Sequence, residues 1–153
     1  MVAGTREEPL PIAGVPLAMG ICFDVAFDDG LYAQVRRGGE LVVVQTSNAT
    51  YIHTYQVDQQ YEITRVRAIE LGRAVAVASP NGRSGMIGPD GETLRLAPKR
   101  EQVVLTADLP LSQQVTPAAR IGEWLGWLAM AATGLLVLIL LPVDLVRRRR
   151  ERQ

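Results

Sequence analysis

From Trp124 to Val143 the chain reads WLGWLAMAATGLLVLILLPV, twenty residues without one charge. At about 1.5 Å of rise per residue such a helix is roughly 30 Å long, the thickness of a bilayer's hydrocarbon core. Trp124 and Trp127 sit at one end, where amphipathic rings favour the headgroup region, and Arg147–Arg150 with Arg152 sit at the other. A buried core helix rarely stays uncharged for so long. The expectation is a transmembrane helix over residues 121–146 and a basic cytoplasmic tail over 147–153. Positive charge held inside then puts residues 1–120 on the extracytoplasmic side of the membrane.

That topology conflicts with the start of the chain. MVAGTREEPLPIAGVPLAMG carries Arg6, Glu7 and Glu8 early, and three prolines break its weak apolar run, so it makes a poor signal peptide. The simplest resolution is that export-directing segments belong upstream of Met1. With Lys+Arg and Asp+Glu balanced at 16 each and a pI near 6.6, no basic face dominates, and nucleic acid is excluded as a partner. One cysteine, Cys22, and one histidine, His53, rule out a disulfide framework and a multi-cysteine metal centre. No cofactor or metal is expected.

Ahead of the membrane run the pattern is α/β. VPLAMGIC (15–22) is an apolar run suited to a buried strand that ends at Cys22. VAFDDGLYAQVRRGG predicts a short helix stopped at Gly38-Gly39. LVVVQTS (41–47) is uncharged and rich in β-branched residues, as befits a strand buried on both faces. NATYIHTYQ is a polar loop. Residues 57–73 form the clearest helix, with Val57, Tyr61, Thr64, Ala68 and Leu71 on one stripe. AVAVAS (74–79) predicts another strand, SGMIG and ETLRLA flank the turn PDG as a hairpin, and QVVLTADL (102–109) predicts a further strand.

Cys22 thus stands where a strand hands over to a helix. Free N–H groups and the helix dipole there stabilise a thiolate and can hold an oxyanion, although a lone cysteine in an apolar run also serves as a small core residue. GICFDVAF resembles the cysteine elbow of the nitrilase, or carbon–nitrogen hydrolase, superfamily. LVVVQTSNATY and QQYEITRVRAIELGRAVAVASPNGRSGMIGPDGE resemble the segments that follow it. TPAARIGEWLGW, the membrane helix and the basic tail resemble one branch, the apolipoprotein N-acyltransferases.

The resemblance implies the C-terminal part of a nitrilase-like α-β-β-α sandwich over residues 1–120, in a bacterial cell membrane. It implies a two-step transfer. A phospholipid acyl donor gives its acyl chain to the Cys22 thiolate, and the α-amino group of an apolipoprotein's N-terminal diacylglyceryl-cysteine then takes it. Cys22 is the implied nucleophile and Phe23 the implied backbone oxyanion donor. Asp24 stands where the family usually has glutamate, and Asn48, Arg67 and Glu70 are implied as supporting residues. The family also uses a glutamate base and a lysine, both well upstream of the cysteine. The 21 residues before Cys22 hold no lysine, and the sole one, Lys99, lies far past the motif. The chain is therefore expected to be inactive alone. Two alternatives stand beside this: a non-catalytic membrane-anchored module that needs a separate chain for the N-terminal half, or a membrane-tethered amidase of the same superfamily.

Arg65, Arg67 and Arg73 are expected to pair with Glu62, Glu70 or backbone carbonyls, and His53 to be solvated. Tyr51, Ile52 and Tyr55 are expected to form a lipid-facing loop.

Overall fold

A computed structural model describes residues 7–99 and 101–150, with the side chains of 123 and 141–150 outside that description. The chain divides into two units, Met1–Arg120 and Ile121–Gln153. The first holds six strands, β1 (Leu10–Ile12), β2 (Val15–Ile21), β3 (Leu41–Gln45), β4 (Val75–Ala78), β5 (Gly85–Ile87) and β6 (Thr93–Leu96). Helix α1 (Asp29–Arg36) joins β2 to β3, α2 (Gln56–Leu71) joins β3 to β4, and α3 spans Pro117–Arg150.

The strands lie in sequence order in one mixed sheet. β2, β3 and β4 run parallel, while β1 and the β5–β6 hairpin add antiparallel edges. Both connecting helices pack into one core on one face of the sheet. There Ala18, Val42, Val75 and Ile87 align across the sheet and pack under Leu31, Tyr32, Val35, Tyr61, Ala68 and Leu71. The predicted stripe of α2 is buried throughout, from Val57 to Leu71.

The opposite face is open. Leu17, Met19, Leu41, Val43, Ala76 and Met86 are half-buried there, and Ile21 is exposed. The expectation that β3 is buried on both faces is therefore corrected: Val42 and Val44 are covered, and Leu41 and Val43 only partly. Three more differences have identifiable causes. Residues 22–26 form a separate 3-10 turn before α1, so the expected single helix is split. The start of the chain contributes β1, which folds back on β2 through Ala13 and Gly14, both at positive φ. Residues 102–109 are not a strand; Val104 is 88% exposed, and an apolar run with no partner edge gains nothing from extending.

Beyond β1, the edge of β2 is closed by a side chain. Gln34 accepts from Met19 N at 2.8 Å and donates to Met19 O at 3.0 Å, imitating the missing strand. At the other end of α2, Gly72 takes the left-handed conformation that ends the helix, and an added Cβ would meet Thr116 Cγ2. Arg73 follows it, fully buried. Its Nε donates to Gly39 O at 2.7 Å, and its Nη1 to Gln114 O at 2.7 Å and Ser112 Oγ at 3.1 Å. Burial pulls its pKa down, and the charge of Glu40 opposes that. The segment it ties down leads to Thr116, whose hydroxyl donates to Glu70 O and accepts from Ala119 N, capping α3 ahead of Pro117.

In the second unit every residue of 124–140 is exposed, including both tryptophans. The expected helix exists as part of α3, yet among the described residues no helix is long and apolar enough to cross a membrane. The end of the basic tail, 151–153, lies outside the described residues, as do residues 1–6.

Removing the Arg73 clamp leaves the buried Gly39 carbonyl, and the less buried Ser112 hydroxyl and Gln114 carbonyl, short of a donor. Arg73→Leu is expected to cost roughly 3 kcal/mol, or about 10 °C in a thermal melt of the full chain in micelles. Arg73→Lys should lose nearly as much, because one ammonium cannot reach Gly39, Ser112 and Gln114 together.

Candidate active site

Cys22 has φ +54, left-handed backbone that a residue with a Cβ adopts at a cost of roughly 1–2 kcal/mol. The chain reverses there, at the carboxyl end of β2. Side chains hold the backbone on both sides of the turn. Asp24 Oδ2 accepts from Ile21 N at 2.9 Å, and Gln60 Nε2, from α2, donates to Cys22 O at 2.6 Å. Arg67 Nε donates to Val25 O at 2.6 Å.

The sulfur rests on a polar floor. Thr46 Oγ1 donates towards Cys22 Sγ at 3.5 Å and lies 3.2 Å from Asn48 Oδ1 and 3.4 Å from Gln60 Oε1. Gln60 Nε2 is 4.0 Å from the same sulfur. Thr46, Asn48 and Gln60 are all buried, whereas Cys22 is partly exposed. Asn48 also holds positive φ, at +55, which lets β3 turn sharply into the 3-10 turn Ala49–Tyr51.

Behind the elbow Arg67 joins α2 to the C-terminal end of the 3-10 turn and to the start of α1. Its Nη1 lies 2.7 Å from Asp28 Oδ1 and 2.6 Å from Glu70 Oε2, and its guanidinium stands 5.7 Å from the Tyr32 ring centroid. Burial alone would lower the Arg67 pKa, but the Asp28 hydrogen bond and the charges of Glu70 and Asp28 outweigh it and raise the value. Burial, with Glu70 and Asp28, pushes the Tyr32 phenol up, so it stays neutral.

The structure thus brings together five of the six residues expected from the sequence. Cys22, Asp24, Arg67 and Glu70 belong to the elbow and its clamp, and Asn48 to the floor. The Phe23 side chain is exposed and packs edge-on to Phe27 with ring centroids 6.1 Å apart; its backbone N–H opens the 3-10 turn, where N–H groups have no partner within the turn. Arg65 pairs with Glu62 at 2.8 Å, and Lys99 lies 3.2 Å from Asp58, which also binds Arg83. The Arg83 hydrogen bond is the chief reason that Asp58 titrates below its ordinary range. His53 is exposed, as expected.

Thr46 and Gln60 were not expected. Their signals are readable in retrospect. Gln60 is a polar residue on the buried stripe of α2, and Thr46 ends a parallel strand beside the cysteine strand, where α/β sheets gather their sites.

Residues 2–118 match the Carbon-nitrogen hydrolase family, and the chain belongs to it. Among curated relatives, the apolipoprotein N-acyltransferase of Gloeobacter violaceus is 37% identical over 137 residues, 90% of this chain and 26% of the relative. That of Synechocystis sp. is 30% identical over 135 residues, 88% of this chain and 26% of the relative. The chain therefore spans about a quarter of the length of these relatives. A carbon-nitrogen hydrolase from Helicobacter pylori G27 shares the fold at 17% identity, with a TM-score of 0.57 over 67% of this chain and 43% of that one. An amidase variant from Nesterenkonia sp. AN1, with acrylamide added at its active-site cysteine, is 30% identical with a TM-score of 0.50 over 63% and 40%.

Arg67→Met should release the Val25 carbonyl and strand Asp28 and Glu70, at a cost of roughly 3 kcal/mol. Arg67→Lys should fail to restore the melting temperature, since an ammonium cannot serve three acceptors in one plane.

Proposed function

We propose that this chain carries the nucleophile of an apolipoprotein N-acyltransferase. The single observation that carries the reading is Cys22, strained into an elbow over the Thr46–Asn48–Gln60 floor, in a chain whose curated relatives bear that name. The thiolate attacks a phospholipid ester, a C–S bond forms as the C–O bond breaks, and the lysophospholipid leaves with a proton. The α-amino group of an apolipoprotein's N-terminal lipid-modified cysteine then attacks the thioester, a C–N bond forms, and the sulfur departs as thiolate while the amine loses a proton. Nucleophile and acyl carrier are one atom, and the Phe23 N–H faces the developing oxyanion in both steps.

The glutamate base and the lysine come from a second layer that covers the open face of the sheet. Earlier residues of a longer protein, or a separate chain, supply it. Helix α3 crosses a bacterial plasma membrane, with the catalytic side extracytoplasmic and the arginines cytoplasmic. What supports this is the uncharged run Trp124–Val143 in the sequence, which continues past the last described side chain, and the exposure of every residue of 124–140, where the one hydroxyl, Thr133, is bonded to Ala129 O.

A second reading is a membrane-tethered amidase, favoured by the 30% identity to the Nesterenkonia enzyme. The two differ in whether an amine or water resolves the acyl-enzyme.

The test is to supply the chain, together with its second layer, with a phospholipid whose acyl chain bears an alkyne. A hydroxylamine-sensitive label on Cys22, lost in Cys22→Ala and transferred to a diacylglyceryl-cysteine peptide, is the expected result. Release of free fatty acid with no transfer would favour the amidase, and no label at all would overturn both.

The exposed Tyr51 and Ile52, beside the floor, form with Tyr55 a loop placed to meet lipid. Replacing Tyr51 and Ile52 by serine should cut labelling from vesicles by at least about fivefold, with labelling from detergent-dissolved phospholipid retained. Equal loss from both sources would show that the loop serves folding or the site itself.

A further inference from the structure

We propose that Thr46 is the hydroxyl that answers the charge on Cys22 Sγ, and that Gln60 positions the sulfur and the hydroxyl together. This rests on the reading of Cys22 as an acyl carrier. Thr46 Oγ1 has one proton and three acceptors in reach: Cys22 Sγ at 3.5 Å, Asn48 Oδ1 at 3.2 Å and Gln60 Oε1 at 3.4 Å. It lies in a buried pocket, so the choice among them is made by the protein and not by water. A neutral thiol is a weak acceptor, and the proton goes to one of the amide oxygens. A thiolate is a charged acceptor, for which a hydrogen bond is roughly twice as strong, and the hydroxyl turns to sulfur. The turn needs rotation about one bond and no backbone movement.

Gln60 makes this possible by geometry. Its Nε2 donates to Cys22 O at 2.6 Å, which fixes the carbonyl beside the sulfur, while its Oε1 faces the Thr46 hydroxyl. One amide therefore sets the spacing between nucleophile and rotor. Acyl transfer produces a thiolate twice, before attack on the ester and again when the amine displaces the thioester. Between those moments the sulfur carries no charge and the Thr46 proton returns to Asn48 or Gln60. Thr46 donates a hydrogen bond throughout and never gives up its proton, so the proton balance of the transfer is unchanged. Thr46 and Gln60 are positioning residues.

The experiment is alkylation of Cys22 by iodoacetamide at pH 7, on the full chain in micelles, with Cys22→Ala as the blank. Thr46→Val keeps the shape and removes the hydroxyl, and should slow alkylation about tenfold. Thr46→Ser restores the hydroxyl and should stay within about twofold of the parent. Gln60→Met, which keeps length and loses both polar atoms, should slow the reaction as Thr46→Val does. Equal rates for the parent and Thr46→Val would overturn the proposal, as would a Thr46→Ser variant as slow as the valine one. Should Gln60→Met fail to fold, the two Thr46 variants decide. No phospholipid is involved, so a failure of acyl labelling with this pattern intact would sink the acyltransferase reading alone.

Discussion

A cysteine at φ +54 does not stay there unaided, and the architecture around Cys22 follows from what holds it. Of the three side-chain bonds that grip the elbow backbone, only that from Asp24 is local. Gln60 and Arg67 reach back 38 and 42 residues, to Cys22 O and Val25 O, and both stand on α2. The strain at Cys22 is thus maintained by tertiary packing, and the elbow exists only when α2 is seated. This explains why α2 buries a full stripe against β3 and β4 instead of resting on a loose edge. It also explains why charged Arg67 is buried: a neutral residue could fill the space but could not hold the turn.

The same helix works at its other end. Glu70 gives its carboxylate to Arg67 and its backbone carbonyl to the Thr116 hydroxyl. Two residues past α2, Arg73 binds Ser112 and Gln114 in the segment that precedes α3. A single helix therefore clamps the Cys22 elbow and the segment leading to the final helix. Gly72 sits between those duties because the chain must turn sharply there, and a larger residue would displace Thr116.

Much of this was legible from residue spacing. The parallel core strands, the α2 stripe and the hairpin around Pro89-Asp90-Gly91 follow from local pattern, because each is stabilised by contacts at fixed periods. The arginine pairings were legible too, since guanidinium groups set close to Glu62, Glu70 and free backbone carbonyls find partners among them. What could not be read was non-local. β1 depends on an antiparallel edge that only β2 offers, and its two-residue turn through Ala13-Gly14 gives a weak signal. Residues 102–109 have a strand's composition and lack a neighbour. Thr46 and Gln60 look like ordinary polar residues until the fold brings a strand end and a helix face under one sulfur.

The open face of the sheet bears on the site as much as on stability. Parallel strands with apolar residues on both faces belong in layered folds where each face is covered. Here Met19, Val43, Ala76 and Met86 form a row across that face, only half-buried, with Ile21, two residues past Met19 on β2, 64% exposed. Ile21 is the residue before Cys22. Any layer that buries the row must therefore pass beside Cys22, and water that now reaches Ile21 would be excluded with it. Hydrogen bonds donated to Cys22 would strengthen with that exclusion, because electrostatic contacts grow as the local dielectric falls, while any charge on the sulfur would lose its hydration. Covering the sheet and enclosing the candidate site are, on this geometry, one event.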